Sequence, residues 1–305
     1  MENEVRDRCQ GVGTDEARQK LSQLTLSNKA IWDREEKRPQ VRAPWVIKAP
    51  YYVLCWALDV LFERDPISRF YFLETVARMP YFSYITMIHT YETLGWWRRS
   101  AEAKRVHFAE EYNEYHHLLI WESLGGDQEW RVRFFAQHSA IAYFFVLLIV
   151  WGMSPSLAYN FSELIEAHAV DTYAEFAEAN KDLLMSMEAP PVAKRYYEAA
   201  DMYVFDEFQT ARQKGSRRPV VNSLYDVVCN IRDDEGEHVL TMRACQDPEV
   251  IPTYAFRHMR RVPCVPCTMH HVFIHPNTYT PIHPYTLNHV PCTHLAPCTL
   301  HPCTA

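Results

Sequence analysis

Two Glu-x-x-His motifs constrain this chain more than any other feature: Glu114-Tyr-His-His117 and Glu235-Gly-Glu-His238. On a helix, positions i and i+3 share a face, so each motif aims a carboxylate and an imidazole at one point. Taken alone, such a pair is a weak signal in a chain with 15 histidines. Context strengthens it. Leu118, Ile120 and Trp121 follow the first motif, and Val227, Val228 and Ile231 precede the second. Both motifs therefore sit on helices with apolar faces.

Two further helical segments each carry a glutamate inside an apolar or aromatic stripe. Glu74 lies among Phe70, Leu73, Ala77 and Tyr81, and Glu166 lies among Ala169, Val170 and Tyr173. Singly, each would pass as a solvated residue. Buried together, four carboxylates are prohibitive unless about four positive charges face them. Two divalent ions supply four. One glutamate from each of two helices plus Glu-x-x-His from each of two others is the ligand set of ferritin-like di-iron or di-manganese bundles. The absence of a cysteine ligand argues against zinc or iron–sulfur chemistry. The expected fold is all-α: a ferritin-like four-helix bundle, with additional in-plane, membrane-associated helices.

The rest of the chain fits that frame. Only 8 of 305 residues are glycine and 48% are apolar. The net charge of −7 and the lack of a basic run at either end exclude a nucleic-acid binder. Local basic clusters, Arg98-Arg99 and Arg217-Arg218, could meet anionic headgroups. Residues 1–40 read as a polar, loose arm without signal- or transit-peptide character. The apolar run Tyr51–Phe62 is too short to span a bilayer and fits an in-plane amphipathic helix. Helices are predicted from Ile67 to about Trp97, Ala101 to Ser123, Glu129 to Met153, Ser156 to Met187 and Asn222 to Met242. The uncharged stretch Phe134–Ser162 reads as a buried bundle helix, with a membrane span as its rival. Residues 188–221 form a long connection. Residues 247–305, with eight histidines and five cysteines among many prolines, read as a low-complexity tail outside the 41–246 domain. Cys264-x-x-Cys267 with His270 and His271 has metal-like spacing, but the prolines and repetition around it favour disorder.

Four stretches also resemble the alternative oxidase family, and more closely its plastid terminal oxidase branch. They are Leu73–Pro80, Asn113–Leu119, Ser162–Ala169 and Asn230–His238. The connection Asp201–Thr210 resembles a segment typical of the plastid branch. The resemblance covers roughly residues 45–246. It implies a monotopic, usually dimeric membrane enzyme that oxidises plastoquinol or a related quinol such as ubiquinol and reduces O2 to water. The membrane would be a plastid thylakoid or another quinone-bearing membrane. It implies two iron ions held by Glu74, Glu114, His117, Glu166, Glu235 and His238, with Tyr173 as the catalytic tyrosine. Arg69, Leu73, Ile165, Ala169 and Thr172 would correspond to the quinol pocket. Asn113 and Asp234 would orient the ligands. His116 lies about 100° off the ligand face, so an outer or surface position is expected. His168 could border the quinol pocket. Two other readings use the same residues: a di-iron quinone-biosynthesis hydroxylase, and a non-catalytic membrane-associated scaffold with a zinc-binding tail.

Overall fold

The computed structural model describes residues 15–97, 100–199 and 202–251. Among these there is no β-strand. Helices α1 (Asp15–Leu21), α2 (Asn28–Lys37) and α3 (Trp45–Leu61) lead into a long α4 (Pro66–Thr93). Then follow α5 (Ala101–Ser123), α6 (Trp130–Met153) and α7 (Pro155–Ala179). The short helices α8 (Lys181–Met185), α9 (Pro191–Lys194) and α10 (Met202–Phe208) precede the last long helix, α11 (Leu224–Ala244). A π-helical turn, Arg195–Ala199, separates α9 from α10.

Local chemistry sets the boundaries of the long helices. Asp65 caps α4 by accepting from the Ser68 amide, and Pro66 occupies the first turn, where no intrahelical donor is lost. Ser154 and Pro155 repeat the arrangement at α7, so α6 and α7 meet with almost no loop. Ser223 and Asp226 form a reciprocal capping box on α11. Gly125, with φ of 89°, ends α5 in the left-handed region. Gly126 cannot carry a side chain, because a Cβ there would lie 2.5 Å from the Tyr71 Cβ.

Four helices build the bundle as two pairs. Helix α4 packs along α5, and α7 packs along α11. Their aromatic residues fill the space between: Phe70, stacked on both Trp121 and Tyr173, forms the centre of the core. Helix α6 lies outside this set, against α4 and α7.

Three expectations change here. First, the loose arm is folded from Asp15 onward. Leu21, Leu24 and Ile31 are buried, and two arginines at the end of α2 pair with carboxylates of α7. Arg34 reaches Glu175 at 3.2 Å and Arg38 reaches Asp171 at 2.6 Å. Second, α6 is not a buried bundle helix. Val132, Ala136, Ala140, Leu147 and Trp151 face inward, but Phe134, Phe135, Ile141, Phe145, Ile149 and Met153 are exposed. The uncharged stretch also breaks at Pro155, which cannot continue the helix. Among the described residues, α6 is the one helix long and apolar enough to cross a membrane. Third, Arg217 is turned into the protein, as described below, while its neighbour Arg218 pairs with Asp206. Arg98, Arg99 and the cysteine–histidine tail, with Cys264, Cys267, His270 and His271, lie outside the described residues.

Helix α3 is two-faced, as its pattern predicts. Ile47, Tyr51, Cys55 and Leu58 are buried, one turn apart or nearly so. Trp45, Val46, Val53, Trp56, Val60 and Leu61 are exposed. Together α3 and α6 give the domain unusually large exposed apolar faces.

Candidate metal centre

The register of the four bundle helices brings all six predicted ligands to one place. Helix α4 supplies Glu74, α5 supplies Glu114 and His117, α7 supplies Glu166, and α11 supplies Glu235 and His238. All six are at most 3% exposed. Ligand atoms of Glu74, Glu114, His117 and Glu235 lie within 4.8 Å of one another, and so do those of Glu114, Glu166, Glu235 and His238. Glu114 and Glu235 belong to both groups. Each helix pair thus provides three ligands to its own group and lends one glutamate to the other.

Several atoms of the cluster have no hydrogen-bonding role. Both carboxylate oxygens of Glu114, Oε2 of Glu74, Nδ1 of His117 and Nδ1 of His238 are buried without a hydrogen-bond partner. His238 Nδ1 comes within 2.8 Å of Glu114 Oε1, yet the two are not aligned as donor and acceptor. They point instead at a common centre. Orphaned lone pairs at this density fit a cation site and little else.

Electrostatics agrees. Burial, together with the Glu114 and Glu235 carboxylates, pushes Glu74 and Glu166 well above the usual carboxyl range. Burial would raise Glu114 as well, but His117 and His238 overcome it and hold that carboxyl low. Burial disfavours a charged His238, yet Glu114 and Glu235 raise it well above an ordinary imidazole. Like charges this close must be neutralised by protons or by metal ions, and the protons compete with the metal.

Around this centre lies a second set of contacts. Tyr173 donates to Glu74 and itself accepts from the Trp121 indole at 2.9 Å. His117 turns Nε2 toward Asp234 Oδ2 at 3.1 Å. Asn113 donates to the same oxygen at 3.1 Å and to the Tyr196 hydroxyl at 2.7 Å. Tyr197 donates to Asp234 at 2.8 Å. Burial opposes ionisation of Asp234, but Arg217 and His117 hold its carboxyl down at about 2. It is therefore a permanent acceptor for the His117 N–H.

A cavity of about 310 Å³ opens beside the centre. Its wall includes Glu74, Glu166, Glu235 and Tyr173, and its remaining lining is almost entirely apolar. Leu73, Ile165, Ala169 and Thr172 line it, as do Cys55 and Leu58 of α3. Arg69 does not. It is fully buried behind the wall, 3.0 Å from Asp59 and donating to Asn28 at 2.7 Å. His168 does line the cavity, with Nδ1 3.0 Å from Glu35 and 3.2 Å from the Tyr51 hydroxyl. Burial lowers its basicity, but Cys55 and Glu35 raise it to about 9. His116 is half-buried, stacked on Tyr196 at 4.2 Å and bonded to the Tyr112 carbonyl at 2.8 Å.

Several contributing residues escaped the sequence reading. Tyr81 donates to Glu166 at 2.7 Å, mirroring the bond from Tyr173 to Glu74. A signal was present: in both α4 and α7 a tyrosine stands seven residues after the glutamate, at 74/81 and 166/173. Each tyrosine serves the other helix's carboxylate. Tyr196, Tyr197 and Arg217 come from the connection, where no periodicity points at a site. His107 and Glu110, one layer along α5, bond to each other at 2.8 Å, and His107 bonds to Tyr159 at 2.9 Å. They are absent from both groups of converging ligand atoms.

Comparison with known proteins decides the kinship. The family model described as "Alternative oxidase" matches residues 45–247. The chain belongs to the alternative oxidase family. All four bundle helices, and with them the whole set of six buried candidate ligands, fall inside the span that the family model matches. The chain is 53% identical over 189 residues to a chloroplastic/chromoplastic ubiquinol oxidase 4 of Arabidopsis thaliana, covering 62% of this chain and 54% of that protein. It is 28% identical over 200 residues to a mitochondrial ubiquinol oxidase 2 of Nicotiana tabacum, covering 64% and 58%. The chain spans about half the length of the curated relatives it matches.

Proposed function

We propose that the protein is a quinol:oxygen oxidoreductase, holding two iron ions and passing electrons from a quinol to O2 with water as product. The observation that carries this reading is the apolar cavity of about 310 Å³ whose wall includes three of the four ligand glutamates and Tyr173. A quinol ring placed there would need no intervening carrier to reach the metal ligands.

Glu114 and Glu235, common to both groups of converging atoms, would help to hold both ions. Glu74 with His117, and Glu166 with His238, would complete the two ends. Bound iron would supply the redox chemistry. The remaining steps belong to the chain. Leu73, Ile165 and Ala169 exclude water and hold the ring by apolar contact. Thr172, whose hydroxyl donates to the His168 carbonyl at 2.8 Å, keeps lone pairs with which to accept from a quinol hydroxyl. Arg69 supports the wall from behind. Tyr173, hydrogen-bonded to Glu74 and lining the cavity, stands between substrate and ligand, as a catalytic proton or electron donor must.

The same reading makes the protein monotopic. Helix α3 exposes Trp45, Val53, Trp56 and Val60 on one face and places Leu54, Cys55 and Leu58 in the cavity wall on the other. An in-plane helix of this kind lets a lipid-soluble quinol enter from the bilayer. The exposed face of α6 would lie in the same surface. The 53% identity to a chloroplastic/chromoplastic relative supports a plastid membrane; plastoquinol or a related quinol as substrate is what the resemblance to the plastid terminal oxidase branch implies. A homodimer, as the resemblance implies, belongs to the same proposal.

Oxygen uptake by the purified full chain, given plastoquinol and ubiquinol in turn and paired with metal analysis, tests this directly. The expected result is two irons per chain, with two quinols oxidised per O2 and an unmodified quinone as product. An oxygen atom left on the ring would make the protein a hydroxylase instead, and no turnover with iron bound would remove the oxidase reading.

A further inference from the structure

Arg217 lies in the loop between α10 and α11, a segment that contributes no ligand of its own. Its side chain is only 11% exposed. The guanidinium passes 5.4 Å from the Phe205 ring centroid, donates to Asp234 Oδ1, and donates to the Asn230 carbonyl at 3.0 Å. Asp234 is fully buried, and its other oxygen receives His117, Asn113 and Tyr197. One oxygen is thus fixed by a cation and the other faces a ligand histidine.

We infer that Arg217 is a positioning residue for the metal centre, acting through Asp234 to fix the ring and tautomer of His117. The inference rests on the metal-binding reading above. A His117 Nε2–H bonded to Asp234 leaves Nδ1 with its lone pair. That atom faces Glu235 at 3.4 Å, Glu114 at 3.6 Å and Glu74 at 3.7 Å. Without Arg217, Oδ1 would be a buried, unpaired carboxylate oxygen. The carboxyl would then be free to turn toward another donor, which weakens its hold on His117. Groups that orient a ligand in this way typically matter by about 10- to 100-fold in metal affinity. Tyr196 and Tyr197 belong to the same connection and reach the same network, so with Arg217 they form an outer clamp on one ligand.

The test is Co(II) binding to the full chain, whose visible spectrum reports the ligand set, measured by competition with a chromophoric chelator. Arg217→Gln and Asp234→Asn should each weaken binding about 10-fold or more. The double variant should bind no worse than Asp234→Asn alone, because Arg217 acts through that carboxylate. Arg217→Lys, which keeps the cation but not the planar fork, should fall between wild type and Arg217→Gln. It also supplies a folded variant if Arg217→Gln does not fold. Arg218→Gln, next in sequence but paired with Asp206, should bind as wild type. Wild-type affinity in Arg217→Gln or Arg217→Lys, losses that multiply in the double variant, or an equal loss in Arg218→Gln would overturn the inference. Failure of the wild-type chain to bind Co(II) would sink the metal reading itself.

Discussion

The two ends of the ligand cluster are built alike in their carboxylates and differently in their histidines. At one end Glu74 is held by Tyr173, and at the other Glu166 is held by Tyr81. The tyrosines sit at equivalent positions on α4 and α7, and each crosses to the other helix. His117, however, is backed by Asp234 and, through it, by Asn113, Tyr197 and Arg217. His238 has a buried Nε2 with no hydrogen-bond partner, and the Phe208 and Tyr81 rings lie 5.5 and 5.4 Å from its own ring, centre to centre. Equivalent ligands therefore need not make equivalent sites. A histidine with an ionised partner is a stronger, better-oriented donor than one backed by rings. The His117 end should bind its ion more tightly.

The largest expected effect removes the comparison altogether. Glu114 is shared by both groups of ligand atoms. Glu114→Ala should abolish binding at both ends and, with it, oxygen uptake. Metal content per purified chain is the measurement. One ion retained would mean that the two ends are independent. Full oxidase activity would contradict the site assignment.

A smaller effect separates the two tyrosines. Tyr81→Phe and Tyr173→Phe each delete one hydrogen bond to a buried glutamate, worth about 1–3 kcal/mol of stability where the acceptor is charged. Urea unfolding should show the larger loss for Tyr173→Phe, which also strips the buried Trp121 indole N–H of its acceptor. Only Tyr173 also lines the cavity. Oxygen uptake should therefore fall about 10-fold or more, roughly 1.4 kcal/mol or more in activation free energy, in Tyr173→Phe and remain near wild type in Tyr81→Phe. Equal losses of turnover would make the pair functionally symmetric.

The smallest effect touches neither end. Glu35 of α2 accepts from the Tyr51 hydroxyl at 2.7 Å and meets His168 at 3.0 Å. Burial raises its pKa, but His168, Tyr51 and Arg38 together lower it below the ordinary 4.5. A carboxyl depressed on folding adds stability above its unfolded-state value of about 4.3, and that stability is lost as pH falls through the lower folded value. Trp32 of α2 packs 5.2 Å from the His168 ring, so its fluorescence reports docking of the helix. Acidification should release α2 in the wild type. Glu35→Gln should flatten that acid dependence while leaving metal affinity unchanged. A change in metal affinity would show that the docked arm reaches the centre.

What could be read before the structure follows from what periodicity encodes. Three-residue spacing on a helix makes Glu114 with His117, and Glu235 with His238, point together whatever else the chain does. The apolar stripes around Glu74 and Glu166 say that those carboxylates are buried. These facts reach the six ligands. The capping residues Asp65, Ser154 and Ser223 mark where their helices begin. The family resemblance, not periodicity, pointed to Leu73, Ile165, Ala169 and Thr172 as the quinol pocket, and all four line the cavity. Neither could place Arg69, which is one turn from Leu73 yet turned behind the wall toward Asp59.

The sequence by itself determined the helical fold and the candidate ligand face of each bundle helix, because these depend on contacts within a few residues. Only the tertiary structure decided the rest. It joined Arg217 to Asp234 and docked a polar arm through Glu35. It opened one face of α6 to the surroundings and gave one ligand histidine an ionised partner but not the other. Each of those outcomes depends on groups distant in the chain meeting in a region of low dielectric. There, a single buried charge must find its counterpart, and no local pattern records where that counterpart comes from.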